Sequence, residues 1–230
     1  MNWKLAAVPF CAAAVVAWPG SRPDTHAPAV TAQLAAVAHA ASPAPGEARR
    51  IRLVTAPDGN EARYRVREQL ANIEFLSDAV GKTSAITGAI VIEDDGTVNK
   101  AESKITIDLT TLKSDSQMRD RYIQRNTLQT EQFGKAEFVP TEIRGLRMPL
   151  PTSGAFAVQV TGDLTVHGVT KSTTWQVLVQ ATQEAYAGTA KTVFTFGDFS
   201  MALPRVARVL SVVDTIRLEY DFRFTPQAGN

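Results

Sequence analysis

Alternation of apolar and polar side chains is the dominant pattern of the chain after about residue 61. The last such segment shows it most clearly. Its apolar residues recur at every second position: Ile216, Leu218, Tyr220, Phe222 and Phe224. A period of two residues is typical of a β-strand with one buried face. The pattern therefore predicts a strand over 216–224 whose apolar face is turned toward an interior.

The same pattern recurs upstream and predicts most of a β-sheet. The further predicted strands are 62–68, 72–78, 87–93, 105–109, 137–144, 156–166, 174–180 and 191–196. Glycine-containing turn signals separate several of them. Because helices do not alternate with these strands, we expect an antiparallel sheet. Roughly eight to ten strands of this kind fold into a barrel or a sandwich.

One segment lacks strand alternation. Residues Ser114–Thr127 contain good helix formers, and Met118 and Tyr122 lie at helical spacing. Ser114 or Asp115 could cap the first turn, because a short polar side chain accepts hydrogen bonds from free backbone N–H groups. We expect a short helix that lies across one end of the sheet.

The N-terminal region is typical of an export signal. Lys4 precedes an uncharged apolar run, Leu5–Trp18, whose fourteen residues are too few for the roughly 20 of a membrane-spanning helix. The prediction is a signal peptide over 1–20 and a periplasmic or secreted protein, anchored to the membrane if the signal is not cleaved. The only cysteine, Cys11, lies in this run, so the remainder cannot form an internal disulfide.

Residues 21–60 are rich in Ala, Pro, Ser and Thr and are predicted to form a disordered linker. Such a segment buries too little apolar surface to offset the entropy lost on ordering. The predicted folded domain is therefore 61–230.

Charge and composition exclude several functional classes. The formal net charge is +1, which provides no basic excess for nucleic acid. His167 is the only histidine after residue 61, and no Cys/His cluster points to a metal site or a cofactor. A nucleophile–histidine–acid arrangement is not recognisable. These observations predict a protein that is not an enzyme, with His167 as a hydrogen-bonding turn residue or a ligand contact.

The apolar faces of the strands are the main candidate for function. Inward-facing side chains would be Phe75, Ile107, Phe138, Val160, Phe194, Phe196, Leu218 and Phe222. They could line an apolar tunnel or fill a solid core, since both require the same alternation. The pattern alone leaves these alternatives open.

A resemblance to a known family bears on this choice. The segment Gly162–Lys171 (GDLTVHGVTK) resembles the hallmark of the YceI-like family, the periplasmic polyisoprenoid-binding proteins. Ile105–Leu112 (ITIDLTTL), Arg119-Asp120 and Asp198–Met201 (DFSM) resemble further family motifs in the family's order. The resemblance covers about 61–225. Ser200 stands where the family commonly has glycine, and the family's N-terminal histidine turn is absent at 67–71.

The resemblance implies an antiparallel lipocalin-like β-barrel of about eight strands with one short helix. It further implies an elongated apolar pore that binds an isoprenoid or other long apolar lipid, with no metal, nucleotide or catalysis. Such a carrier or scavenger would allow transient contact with a membrane. The alternatives are an enzyme that acts on an apolar substrate, with His167 or Asp198 as acid or base, and a filled-core interaction or stress-response module.

A phosphorylated lipid head would require cationic groups near the barrel mouth. Arginine suits phosphate because its planar fork donates paired hydrogen bonds. The candidate head-group residues are Arg119, Arg121, Arg125, Arg205, Arg208 and His167.

Overall fold

The computed structural model describes residues 50–71, 75–206 and 209–228. The predicted signal peptide and most of the predicted linker fall outside these ranges, as does Arg208. Within them, none of the helices has the length and apolar character that crossing a bilayer requires.

The described residues form one antiparallel sheet and one α-helix. The strands are β1 (Ile51–Thr55), β2 (Glu61–Leu70), β3 (Ser77–Thr83), β4 (Ile86–Ile92), β5 (Lys104–Asp108), β6 (Lys113–Ser114), β7 (Lys135–Arg144), β8 (Gly154–Val166), β9 (Val169–Ala181), β10 (Tyr186–Phe194) and β11 (Val209–Ala228). The helix α1 spans Gln117–Tyr122, and a π-helical turn over Ile123–Thr127 follows it directly.

The sheet closes on itself as an eight-stranded up-and-down barrel. The strand pairs β1–β2, β3–β4 and β5–β6 each act as one interrupted strand, because consecutive members pair with the same neighbours. β7 to β10 follow in order, and β11 pairs with β10 on one edge and with β2 and β1 on the other. This architecture confirms the predicted antiparallel, lipocalin-like barrel with one short helix.

β11 closes the barrel by pairing with the first strands of the sheet. It runs for 20 residues and pairs with β2 along Val209–Asp221 and with β1 along Phe224–Ala228. The ladder is interrupted between Val212 and Ile216, where β11 bulges. On the outer face Arg63 of β2 forms ion pairs with Glu219 (3.3 Å) and Asp221 (2.6 Å) of β11. Hydrogen bonds and cross-strand charges thus join the first and last strands.

The helical segment covers one end of the barrel, where β2, β6, β8 and β10 end; we call this the helical end. Ser116 caps α1, since its hydroxyl accepts a hydrogen bond from the Arg119 N–H (3.4 Å). The expected caps, Ser114 and Asp115, are therefore wrong. Ser114 instead donates its backbone N–H (2.8 Å) and its hydroxyl (2.6 Å) to the Asp120 carboxylate, which ties the helix to β6.

Two predicted boundaries are wrong. The linker was expected to extend to residue 60, but β1 pairs with both β4 and β11, so the barrel begins at Ile51. A strand of five residues has too little alternation to be recognised in an alanine- and proline-rich region, and only its sheet partners define it. The strand expected over 72–78 begins at Ser77; residues 72–74 lie outside the described ranges.

Two glycines of the hallmark segment, Gly162 and Gly168, lie where the backbone geometry leaves little room for a side chain. His167 and Gly168 form the two-residue turn between β8 and β9, and both have positive φ (50° and 73°), as a tight hairpin turn of this hand requires. Gly162 lies against β7. A Cβ atom there would come within 2.5 Å of the Val139 carbonyl oxygen and 2.6 Å of the Phe138 ring.

Gly162→Ala should therefore destabilise the barrel by about 1–3 kcal/mol, because the added methyl group forces β7 and β8 apart. Gly197→Ala is a matched control, since its Cβ would meet nothing closer than the Thr195 hydroxyl at 3.9 Å. Urea unfolding of both variants measures the difference. Equal midpoints for the two variants would contradict the steric explanation.

Candidate functional site

The interior of the barrel contains a cavity of about 720 Å³. This volume lies within the roughly 300–1,000 Å³ typical of small-molecule sites. The apolar faces of the strands line it, including seven of the eight predicted interior residues: Ile107, Phe138, Val160, Phe194, Phe196, Leu218 and Phe222. The apolar faces of the strands therefore line an open cavity and do not fill a solid core.

The eighth predicted interior residue, Phe75, does not face the cavity. It precedes β3 at the helical end, and its side chain is 77% exposed. The prediction was wrong because strand alternation was extended into a loop, where no pairing fixes the direction of a side chain.

Aromatic side chains make much of the cavity wall rigid and apolar. Phe138 of β7 and Trp175 of β9 meet edge to face at 5.7 Å between ring centroids. The Trp175 indole N–H is satisfied by the Thr173 hydroxyl (3.1 Å), so only its hydrocarbon surface is offered to the cavity. Edge-to-face pairs of this kind fix ring orientation without filling the space between the walls.

At the helical end an ion pair between Glu68 and Arg119 interrupts the apolar lining. Glu68 is 7% exposed, and its Oε1 accepts a hydrogen bond of 2.8 Å from Nη2 of Arg119. Nη1 of Arg119 donates to Asp115 and to the Ser114 hydroxyl. Burial disfavours the charge on Arg119, but the negative charges of Glu68 and Asp115 outweigh that effect and raise its pKa. Arg119 therefore remains charged and is balanced by carboxylates.

Thr127 also contributes a polar group to the cavity lining. Thr127 is 5% exposed, lines the cavity, and its hydroxyl has no hydrogen-bond partner among the residues that the structure describes. A buried hydroxyl of this kind costs free energy unless a bound molecule satisfies it. Burial also raises the pKa of Tyr64 in the cavity wall, so its phenol stays neutral.

The cavity opens at the helical end. Met118 of α1 and Val206 of the loop before β11 both line the cavity and are 66% and 39% exposed. The hydroxyl of Tyr122 accepts a hydrogen bond from the Arg205 backbone N–H (3.2 Å), which joins the helix to this loop. Helix and loop therefore frame the opening.

The predicted head-group residues are not brought together. Of the six, Arg119 alone lines the cavity within the described ranges. Arg121, Arg125 and Arg205 lie on the helix and loop at the helical end but outside the lining. Arg208 lies outside the described residues.

His167 and Asp198 are engaged in turns outside the cavity lining. His167 Nδ1 is 3.2 Å from the Phe199 carbonyl oxygen, and the imidazole packs edge to face on Phe133 at 4.8 Å. Asp198 accepts hydrogen bonds from the Thr195 backbone N–H and hydroxyl (2.8 Å each), which lower its pKa. Both residues position loops at the helical end.

One protein family matches most of the chain. The model of the YceI-like domain matches residues 59–224, which is nearly the whole barrel. The chain belongs to the YceI-like family. A search of curated proteins finds no match.

Several solved structures share the fold at low sequence identity. A polyisoprenoid-binding domain from Saccharophagus degradans is 13% identical with a TM-score of 0.58, covering 77% of this chain and 98% of that chain. BcnA of Burkholderia cenocepacia is 14% identical (TM-score 0.53; 71% and 95% covered). The Campylobacter jejuni YceI protein is 15% identical (TM-score 0.53; 70% and 91% covered).

Two YceI-like motifs of this chain meet at the helical end. The hydrogen bond from His167 reaches Phe199, which is 0% exposed, so the β8–β9 turn holds the DFSM segment in place. Ser200, in the position where the family commonly has glycine, has a φ of 54°. That left-handed conformation is costly for a residue other than glycine.

Glu68 and Thr127 were not among the predicted site residues. Glu68 follows Tyr64 and Val66 on the inward-facing register of β2, so a carboxylate at an apolar position was the available signal. Thr127 carried no such signal, because its burial depends on how the π-helical turn packs over the barrel.

Replacing Arg119 tests the buried pair. Arg119→Met should destabilise the protein by roughly 1–3 kcal/mol at pH 7, because it leaves the Glu68 carboxylate buried without its partner. Arg144→Met is the control, since the Arg144–Glu142 pair is exposed (69% and 49%) and solvent-exposed pairs contribute little to stability. Urea denaturation measures both. A larger effect at Arg144 would refute this account of the pair.

Proposed function

We propose that this YceI-like protein is a non-catalytic lipid-binding protein that holds an isoprenoid or another long apolar chain inside the barrel. The observation that carries the proposal is the cavity of about 720 Å³, lined mainly by apolar side chains and open at the helical end. The relative from Saccharophagus degradans, described as a polyisoprenoid-binding domain, supports it.

The energetics favour a long hydrocarbon ligand. Each buried CH₂ group contributes about 0.8 kcal/mol. A prenyl chain that fills the cavity can therefore bind tightly with few polar contacts. The unpaired Thr127 hydroxyl offers a hydrogen bond to a polar group on such a ligand.

The charges of the lining favour a neutral head group over a phosphate. Arg119 is the one predicted head-group residue in the described lining, and Glu68 and Asp115 already balance its charge. Bringing a phosphate beside the buried Glu68 carboxylate would place like charges together in a medium of low dielectric constant. An alcohol or a quinone avoids that repulsion.

The proposed role is that of an exported carrier or scavenger, periplasmic or secreted. The apolar run Leu5–Trp18 after Lys4 supports export as a signal peptide. The enzyme alternative is less well supported, because His167 and Asp198 hold turns outside the cavity lining.

Mass spectrometry of an organic extract of the purified protein is the direct test. A stoichiometric isoprenoid would identify the ligand, and a different lipid would keep the binding function and change its ligand. If no lipid copurifies and added geranylgeraniol is not taken up, the proposed function is wrong.

Narrowing the cavity should weaken binding. Ala190 of β10 lines the cavity and is 7% exposed, so Ala190→Phe places a ring in the ligand's path. We expect geranylgeraniol affinity to fall at least about tenfold, which corresponds to the loss of roughly two buried CH₂ groups. Val193→Phe on the outer face of the same strand, at a site 60% exposed, should leave affinity unchanged. Titration by native mass spectrometry measures both. Equal affinities would place the ligand elsewhere.

Head-group preference can be tested at Glu68. Glu68→Gln removes the buried carboxylate and leaves Arg119 in place. Geranylgeranyl phosphate should then bind at least about tenfold more tightly, while geranylgeraniol affinity changes little. Competition between the two lipids measures the ratio. An unchanged ratio would show that the lipid head does not reach Glu68.

A further inference from the structure

Large exposed apolar side chains are concentrated at the helical end of the barrel. We define the apolar rim as Phe75, Leu76, Met118, Leu203, Val206, Leu210 and Val213, which are between 39% and 77% exposed. The other large exposed apolar residues among those described, Leu178 and Val193, stand singly on the outer faces of β9 and β10. Clustered exposed apolar surface marks an interaction site, whereas scattered apolar residues do not.

The strand pairing brings the members of the rim to one end. Phe75 and Leu76 lie between β2 and β3, and Met118 lies in the helix that follows β6. Leu203 and Val206 belong to the loop before β11, and Leu210 and Val213 lie in the part of β11 that pairs with the end of β2. Four segments far apart in the sequence thus contribute apolar side chains around one opening.

The rim is continuous with the cavity. Met118 and Val206 belong to both, and Pro204 between them in the loop also lines the cavity. A lipid that enters or leaves the barrel can therefore follow apolar side chains from the cavity wall to the rim, beside the Glu68–Arg119 pair. The environment in which such an apolar opening is stable, and from which an isoprenoid comes, is the hydrocarbon of a bilayer.

Cations with no carboxylate partner stand beside the rim. Arg121, Arg125 and Arg205 are exposed and form no ion pair within the described ranges. Most nearby carboxylates are engaged: Asp115 with Arg119, Asp120 with Ser114 and Asp214 with the Phe196 N–H. Glu131 is exposed and forms no ion pair with these arginines within the described residues.

We propose that the apolar rim docks on the surface of an anionic lipid bilayer, with its side chains inserted at the head-group boundary and the three arginines against lipid phosphates. The barrel mouth then faces the bilayer directly. This inference deepens the proposed function by naming where the lipid is exchanged. Docking itself can be measured without any ligand in the cavity.

The test compares two charged double variants of the full-length chain. Phe75→Asp with Leu210→Asp alters rim positions that are 77% and 67% exposed and lie outside the cavity lining. Leu178→Asp with Val193→Asp alters the outer wall at positions that are 66% and 60% exposed. Both variants keep the same N-terminal apolar segment, so its contribution to vesicle binding is common to them.

Cosedimentation with phosphatidylglycerol vesicles should show at least about tenfold weaker partitioning for the rim variant and little change for the wall variant. Amide exchange of wild-type protein should slow at 75–76, 203–206 and 209–213 when these vesicles are added. Equal partitioning of the two variants together with unchanged exchange at the rim would overturn the proposal. A second result would also overturn it: sedimentation shows that the wild-type protein is a dimer, and the rim variant is monomeric but partitions onto vesicles as the wild type does.

Charge is tested separately with Arg125→Glu and Arg205→Glu combined. This variant should lose the preference for phosphatidylglycerol over phosphatidylcholine vesicles, and salt should weaken the wild-type preference. A preference that persists in the variant would overturn the role of the arginines.

Geranylgeraniol uptake from solution separates this inference from the proposed function. Uptake without vesicle binding would contradict the docking proposal and support the proposed lipid-binding function. Vesicle binding at the rim without uptake would support the docking proposal and contradict the proposed isoprenoid ligand.

Discussion

Closure of the sheet through β11 is the constraint on which the rest of the structure depends. This strand hydrogen-bonds to β10 along one edge and to β2 and then β1 along the other, so the first and last strands of the chain become neighbours. A closed sheet leaves no exposed strand edge. Closing eight strands also sets the diameter, and a barrel of this size can enclose one small or elongated ligand. Because β11 closes the sheet, the apolar faces of the strands surround a cavity.

The cavity changes the role of the aromatic side chains. In a filled core, Phe138 and Trp175 would interdigitate with the opposite wall. Here they pack against each other along the wall and leave the centre open. Stability therefore rests on strand pairing and wall contacts. A ligand that binds only the folded barrel would add to that stability in proportion to its concentration and affinity.

The Glu68–Arg119 pair connects the barrel wall to the helix that frames the opening. Glu68 belongs to β2 and Arg119 to α1, and their 2.8 Å hydrogen bond lies at the boundary between apolar cavity and solvent. A buried ion pair contributes little net stability, but losing one partner is costly. The pair therefore fixes the helix over the opening more than it strengthens the fold, and its balanced charge disfavours anionic heads.

The sequence by itself determined the fold class and most of the cavity wall. Period-two alternation requires one buried face per strand, and seven of eight predicted interior residues follow it. Local pattern could not determine what depends on contacts between distant segments. β1 exists because β4 and β11 pair with it, and Phe75 is exposed because no neighbouring strand orients it. Whether the interior is open, and which polar groups face it, depends on barrel diameter and helix packing, which only the tertiary structure decides.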